Sequence, residues 1–284
     1  HMIKNYDYKD MVYLSDDEMR EVTGSDTYYG GSYDEAEAHC HPLNYALGIA
    51  KAALSAGAKI YENSAATSYK VFDDHVRVTT KNGSVKADRI VLACNGYLEN
   101  LEKSLTSKIL PMNNYIIATK PLDDETVQKI NPKDIAFADS RFVINYFRMS
   151  ADKRLLFGGG ENYSQELSKN IVPIVTRPLE KIYPFLKGIK IDYAWGGKLA
   201  ITMNRLPFFT SLHNEKVISA QGYSGQGVAL ASYSGKIVSE KIIGTGEVFD
   251  IMSKIPRPSF PGGRFLRNPS MKIGMLYYSL LDRI

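Results

Sequence analysis

Two turns rich in small residues carry the pattern best suited to chemistry in this chain of 284 residues. The first is Gly222-Tyr223-Ser224-Gly225-Gln226-Gly227. It follows the strand-like run Lys216-Val217-Ile218-Ser219-Ala220 and opens a helix-like run that extends to about Ile243. In that helix Val228, Ala231, Val238 and Ile242 share a face, and Lys236 and Glu240 form an i,i+4 pair on another. Such a turn gathers unbonded backbone N–H groups and the positive end of the helix dipole at one point, which suits a phosphate or an electron-rich ring edge. The same pattern also serves a tight strand–helix turn with no ligand. The second turn, Ala93-Cys94-Asn95-Gly96, ends the apolar run Ile90-Val91-Leu92, which reads as a strand buried on both faces. Ligands of open α/β folds collect at the carboxyl ends of strands, where small residues would admit a ribose or pyrophosphate. A plain left-handed turn at Asn95-Gly96 would look the same.

Other chemistries find less support. The spacing at 222–227 is GxxGxG, and neither GxGxxG nor a P-loop occurs anywhere in the chain. No second parallel strand ending in an acid follows, because the chain runs into Pro256 and Pro258. Gly158-Gly159-Gly160 and Gly262-Gly263 read as turns. Ser224 lies one glycine short of a nucleophile elbow. Cys94 has no adjacent cation to stabilise a thiolate. His39-Cys40-His41 alternates in an extended segment, so at most two ligands share a face and no zinc site is expected.

The surrounding elements follow from periodicity. Ser15 with Glu18 three residues on marks a helix start, with the helix ending before Gly24. Tyr28–Tyr33 reads as a strand or turn with close backbone approach. Leu43, Ala46, Leu47, Ala50 and Leu54 repeat at helical spacing between Pro42 and Gly57, and 58–61 reads as a short strand after it. The alternation at Val76 and Val78, the hairpin signal Asn82-Gly83 and the return Ser84–Lys86 make a three-stranded meander with 67–72. Residues 106–200 alternate short β-like runs with turns and carry one amphipathic helix near 176–185, as expected of a mostly antiparallel sheet. Residues 254–269 read as an irregular arm, and Met271–Leu281 as a final helix.

The composition is that of an ordinary globular protein: 44% hydrophobic, 23% charged, net charge +4. The charge is dispersed, which argues against nucleic acid as the main partner. Two distant cysteines fit reduced thiols, there is no signal peptide at the start, and no apolar run approaches a membrane span, so a cytoplasmic protein is expected. His1-Met2 reads as a cloning scar.

Jointly, the motifs resemble the D-amino-acid-oxidase-like FAD-dependent oxidoreductases, most of all the gamma-glutamylputrescine oxidoreductase type. The resemblance rests on Tyr29-Gly30-Gly31, the Pro42 helix, Gly57 to Ile60 with Glu62-Asn63, and Ala93 to Tyr97. It continues through Asp139-Ser140-Arg141, Asn145 to Arg148, Asp152 with Arg154 to Gly159, Trp195-Gly196-Gly197, Asn204 to Pro207 and Gly222 to Ala229, then Phe260 to Arg264 and Tyr277-Tyr278.

The resemblance implies an α+β / α/β chain: an incomplete GR2-type FAD-binding domain with a β-meander, plus an antiparallel-sheet substrate-binding domain. The remnant of the FAD domain is expected at 3–105 and 198–250, with 25–35 crossing to the substrate domain at 106–197. An arm and helix at 251–284 complete the chain. It further implies FAD contacts from Ala66 at the adenosine, from Ala93, Cys94, Asn95 and Gly96 at the ribose–pyrophosphate, and from Gly222, Tyr223, Ser224, Gly225, Gln226, Gly227 and Val228 at the isoalloxazine. The implied reaction is hydride transfer from the amine-bearing carbon to flavin N5, then imine hydrolysis and reoxidation by molecular oxygen. The protein's task is orientation, so no catalytic residue is named. Tyr146, Arg148 and Arg205 are candidates for holding a substrate carboxylate, or for structural pairing with acids. Cys94 stands where the family usually has Thr, and Gln226 where it often has His.

The N-terminal βαβ unit with its glycine-rich turn is missing from the sequence. The chain therefore reads as a C-terminal part, inactive without its N-terminal polypeptide, or as a non-catalytic binding or interaction module that keeps the fold. Loss of that unit would leave an unpaired sheet edge and apolar surface, from which homo-oligomerisation or strand exchange is expected.

Overall fold

The computed structural model describes residues 2–141, 143–162, 166–263, 266, 269 and 272–274. The elements in chain order are α1 (Met2–Tyr6), β1 (Met11–Leu14), α2 (Asp16–Thr23), β2 (Gly31–Asp34), α3 (Pro42–Ser55), β3 (Ala66–Val71), β4 (Val76–Thr80), β5 (Ser84–Ala87) and β6 (Ile90–Leu92). There follow α4 (Lys103–Thr106), β7 (Leu110–Thr119), α5 (Asp124–Ile130), β8 (Phe137–Ala138), β9 (Tyr146–Met149), β10 (Leu155–Asn162), α6 (Val172–Ile182) and β11 (Ile191–Ile201). The last are β12 (Phe208–Leu212), β13 (Val217–Gln221), α7 (Gly227–Ile242) and α8 (Glu247–Ser253).

The chain divides into two units. One comprises the segment ending at Tyr45 together with Asn114–Gly197, and the other Ala46–Asn113 with Lys198–Tyr278. The first 45 residues thus group with the sheet at 114–197, where the sequence had placed all but 25–35 on the cofactor side.

In the first unit the sheet runs in the order β11-β7-β10-β9-β8. Its inner face is made by alternate residues: Tyr115 and Ile117 of β7, Phe147 and Met149 of β9, Leu155 and Phe157 of β10. Against it lies α6, whose Val175, Leu179 and Ile182 recur at i, i+4 and i+7. Phe147 stacks on Phe157 at 5.5 Å and meets the edge of Tyr183 at 5.6 Å. Each such fully buried side chain stabilises the unit by about 1.5–3 kcal/mol. The helix α2 is bounded as its sequence dictates. Ser15 and Glu18 close a capping box, and Gly24 ends the helix at φ 61°.

In the second unit β12, β13 and β6 form a mixed sheet in that order, and β3-β4-β5 form the meander. Successive residues of β13 point to opposite faces. Val217 joins Leu92, Leu98, Leu105, Ile109 and Phe208, with Tyr69 and Val71 of the meander packed on them. Ile218 and Ala220 pack on Ile237 and Val238 of α7 and Phe249 of α8. The result is a three-layer stack of meander, sheet and helices. Two basic side chains stitch it: Lys216 Nζ donates to the Phe72 carbonyl at 2.7 Å, and Arg89 Nη1 to the Ile242 carbonyl at 3.1 Å.

Several sequence expectations differ from the structure. No strand forms at 58–61. Gly158-Gly159-Gly160 is not a turn but lies inside β10. The strand β6 is not buried on both faces, for Val91 is 40% exposed and β6 is the edge of its sheet. The helix expected near 176–185 begins at Val172, with Pro178 inside it. The strand β1 and the short helix α8 escaped notice, since runs of four and seven residues carry little periodicity. The arm at 254–269 is irregular through Pro261. The helix expected at Met271–Leu281 lies outside the described residues, save three. Among the described residues no helix is long and apolar enough to cross a membrane.

Candidate functional site

Parallel pairing brings the two glycine-bearing turns together. Val217, Ile218 and Ser219 of β13 pair with Ile90, Val91 and Leu92 of β6 in the same direction. Both strands therefore end at the same edge of the second unit, one into 93–97 and the other into 222–227. The Asn95 side-chain oxygen accepts the Gly222 N–H at 3.1 Å, a direct bond between the turns. Asn95 is left-handed at φ 46°, a conformation that asparagine tolerates better than other side chains.

Each turn is fixed from below. Asn95–Tyr97 form a single 3-10 turn, in which a Cβ on Gly96 would lie 2.6 Å from the Lys198 carbonyl oxygen. The Lys198 N–H donates to the Tyr97 hydroxyl at 3.1 Å. On the other turn Gly222 stands at φ 78° with the Thr202 methyl where a Cβ would go. The Ser224 N–H donates to the Ala200 carbonyl at 2.9 Å, and its hydroxyl lies 3.3 Å from that of Thr202. Lys198, Ala200 and Thr202 thus brace both turns from one strand end. Sequence reading passed over them, and the marker it had was Gly196-Gly197 just before.

What the turns leave open matches a ligand's needs. Gly225 is at φ 100° with no atom within 4 Å of a Cβ position, so its backbone is approachable. The helix α7 starts there with no side-chain cap at Gln226 and no acid in its first turn. Directly before Gly222, Gln221 is fully buried and both its amide atoms lack a hydrogen-bond partner among the described residues. A buried amide left unmet costs about 1–3 kcal/mol, so this sheet end holds unused hydrogen-bonding capacity. Burial pushes the Cys94 thiol pKa up, which keeps it protonated and removes it as a nucleophile. Ala66, expected beside an adenosine, is exposed at the irregular start of β3.

The other candidates fall in both units. Tyr146 and Arg148 share the outer face of the first unit's sheet, opposite the buried Phe147 and Met149. The Tyr146 hydroxyl donates to the side-chain oxygen of Asn114, on the same face of β7. Arg148 is half-buried and donates to the Met149 carbonyl at 3.1 Å. Among the described residues it has no carboxylate partner. Arg154, by contrast, holds Asp152 and Asp192, each at 2.6 Å. A half-buried guanidinium with no acid beside it keeps donors of the kind that bind carboxylates. Arg205 is exposed in the second unit, in a turn at φ 61°.

The model of the FAD dependent oxidoreductase family matches residues 3–241. Gamma-glutamylputrescine oxidoreductase of Escherichia coli (strain K12) is 36% identical over 282 residues, which are 99% of this chain and 66% of that protein. The probable oxidoreductase OrdL of Haemophilus influenzae is 36% identical over 284 residues, 99% of this chain and 65% of the relative. In fold, glycine oxidase from Geobacillus kaustophilus superposes with a TM-score of 0.70 at 19% identity, over 84% of this chain and 64% of that one. This chain spans about 65% of the length of the curated relatives it matches. With a family model running across most of its residues, the chain belongs to the FAD dependent oxidoreductase family.

Proposed function

We propose that this chain contributes the ring-side cradle and the substrate sheet of an amine-oxidising flavoenzyme in which residues other than these grip the FAD pyrophosphate. The observation that carries the reading is the Asn95–Gly222 hydrogen bond, which makes one surface of two turns from distant parts of the sequence. The backbone at Gly225 and the uncapped start of α7 would lie against the electron-rich edge of the isoalloxazine. Ala93 to Gly96 would flank the ribose–pyrophosphate and Ala66 the adenosine. FAD, when bound, supplies the two-electron oxidation of a carbon bearing an amine, with oxygen as the terminal acceptor. This chain's own residues orient the substrate: on the first unit's sheet Arg148 takes a carboxylate, and Tyr146 stands two residues along the same face. The name of the Escherichia coli relative suggests γ-glutamylputrescine, which carries both an amine and an acid, and so a role in polyamine catabolism.

The expectation of a further FAD-gripping segment rests on two features. The chain has no GxGxxG turn. The second unit also shows apolar faces that nothing among its described residues covers. No residue of α3 is buried, with Leu47 and Leu54 each more than half exposed, and β6 offers an open parallel edge. Unpartnered, these faces would drive self-association of the chain.

The test is a visible spectrum after gel filtration of the purified chain with added FAD, with and without a polypeptide matching the remaining third of its relatives. Flavin absorbance should be retained only with both. Retention by the chain alone, or by neither mixture, overturns the proposal. Light scattering on the chain alone should show oligomers, and a monodisperse monomer would count against the uncovered faces as docking surfaces.

A further inference from the structure

We infer that the proline-rich arm at 255–260 is a strap that holds the ring-side turn 222–225 in shape, with Asn204 and Phe260 as its positioning residues. Calling that turn ring-side rests on the proposed function; the mechanical link does not. The arm forms no regular element, and its sequence gives the reason. Pro256, Pro258 and Pro261 lack an N–H and fix their own φ, and each pushes the residue before it toward extended backbone. Such a segment loses little entropy on ordering and offers its carbonyls to side chains that can donate. Two neighbouring segments supply those donors. Lys108 Nζ donates to the Arg257 carbonyl at 2.9 Å, and Asn204 Nδ2 to the Pro256 carbonyl at 3.0 Å. Arg257 in turn donates to the Phe209 carbonyl of β12 and lies over the Phe208 ring at 5.3 Å. At the far end the Phe260 N–H donates to the Ser107 carbonyl at 3.0 Å, and Phe260 packs against the cluster of Leu110, Met112 and Ile201.

Two of these grips fall on either side of Thr202, Phe260 at Ile201 and Pro256 at Asn204. Thr202 is the residue that meets the ring-side turn. Its N–H donates to the Ser224 hydroxyl oxygen at 3.3 Å, and its methyl stands where a Cβ on Gly222 would go. A run of hydrogen bonds leads there from the strap. Asn204 donates to Pro256 and accepts the Leu206 N–H at 3.2 Å, and the Leu206 carbonyl accepts the Thr202 hydroxyl proton at 2.9 Å. Ser224 sits at φ 51°, a left-handed backbone that is strained for serine, so the turn needs support from outside itself. Thr202 supplies it, and the strap keeps Thr202 in place. Lifting the arm would therefore loosen the cradle without changing any residue of the turn.

The test is native-state hydrogen exchange of the whole chain, read by NMR at the Ser224 amide, which donates to the Ala200 carbonyl at 2.9 Å. The amides of β13 serve as internal reference. Phe260→Ala takes the ring away from Ile201 and should speed Ser224 exchange about tenfold, with β13 changed by less than about twofold. Asn204→Asp keeps an oxygen for the Leu206 N–H but has no donor for Pro256, and should speed Ser224 exchange about threefold. Asn204 is exposed, so this second variant leaves the core untouched. Unchanged Ser224 exchange in Asn204→Asp overturns the inference, since the asparagine would then act only within its own turn. Equal acceleration at Ser224 and along β13 in Phe260→Ala overturns it as well, for the ring would then be ordinary core. If Phe260→Ala does not fold, Asn204→Asp still decides. Flavin takes no part in these measurements, so failure of FAD retention would sink the proposed function while leaving this link intact.

Discussion

The two units solve the burial problem in different ways. In the first, Tyr115, Ile117, Leu155, Phe157, Val175 and Leu179 are wholly buried, and one face of a five-stranded sheet is closed by a helix. In the second, β13 is buried along its whole length, yet its neighbour β6 is an open edge and α3 buries nothing. Both units draw on similar apolar residues. The difference lies in whether the apolar face finds a partner among the described residues. A helix whose periodicity is strong and none of whose residues is buried records a contact that the described residues of its unit do not supply.

The contrast can be broken most forcefully by cutting one side chain in each unit. Phe157→Ala opens a cavity in the closed core and should cost about 3–5 kcal/mol of stability. Leu47→Ala on α3 should change stability of the isolated chain by less than about 0.5 kcal/mol, since its side chain is 58% exposed. Urea unfolding of both variants checks the pair. The contrast sharpens if Leu47→Ala becomes costly once the polypeptide matching the remaining third of its relatives is bound. Equal costs in the isolated chain would show that α3 is packed after all.

A middle-sized effect belongs to the junction of the two turns. Asn95→Ala removes the bond to Gly222 and forces alanine into a left-handed backbone, a loss of about 1–3 kcal/mol. Asn95→Gly keeps the backbone relaxed and should cost only the hydrogen bond, about 1 kcal/mol. Both variants should retain less FAD in the reconstituted mixture. Flavin retention unchanged in both would separate the bond from the cofactor and remove the main support for the cradle.

What could be read beforehand followed local physics. The capping box at Ser15, the meander around Asn82-Gly83 and the helix after Gly227 depend on neighbours in sequence, and each formed close to where it was expected. The glycines at 158–160 misled because glycine marks both a turn and a bare strand position. The register would have distinguished them: a hairpin closing between Met149 and Leu155 sets Tyr146 against Gly158. Asn114 and Thr202 left no local signal, because their parts depend on strands that meet only through the sheet. Exposure of α3 and Val91 was equally silent, as periodicity shows that a face is apolar and not what covers it.

The smallest expected effect compares ion pairs at the two units' edges. Asp152 and Asp192 flank Arg154 in the first unit, and Asp74 sits in the β3–β4 turn of the second. The Asp74 carboxylate is held down to about 2, chiefly by its hydrogen bond with His75, opposed by partial desolvation and aided by Lys86 at 3.4 Å. A carboxylate whose pKa is depressed by folding contributes stability above its unfolded value, near 3.8. That contribution drains away as pH falls through the folded value, because protons then bind the native state as well. Asp74→Asn should therefore be less stable than the unmodified chain at about pH 5, with the gap closing as pH approaches about 2. Urea midpoints of the two proteins along that range give the slope directly. A gap independent of pH would mean that the Asp74 contribution is packing in the turn rather than charge.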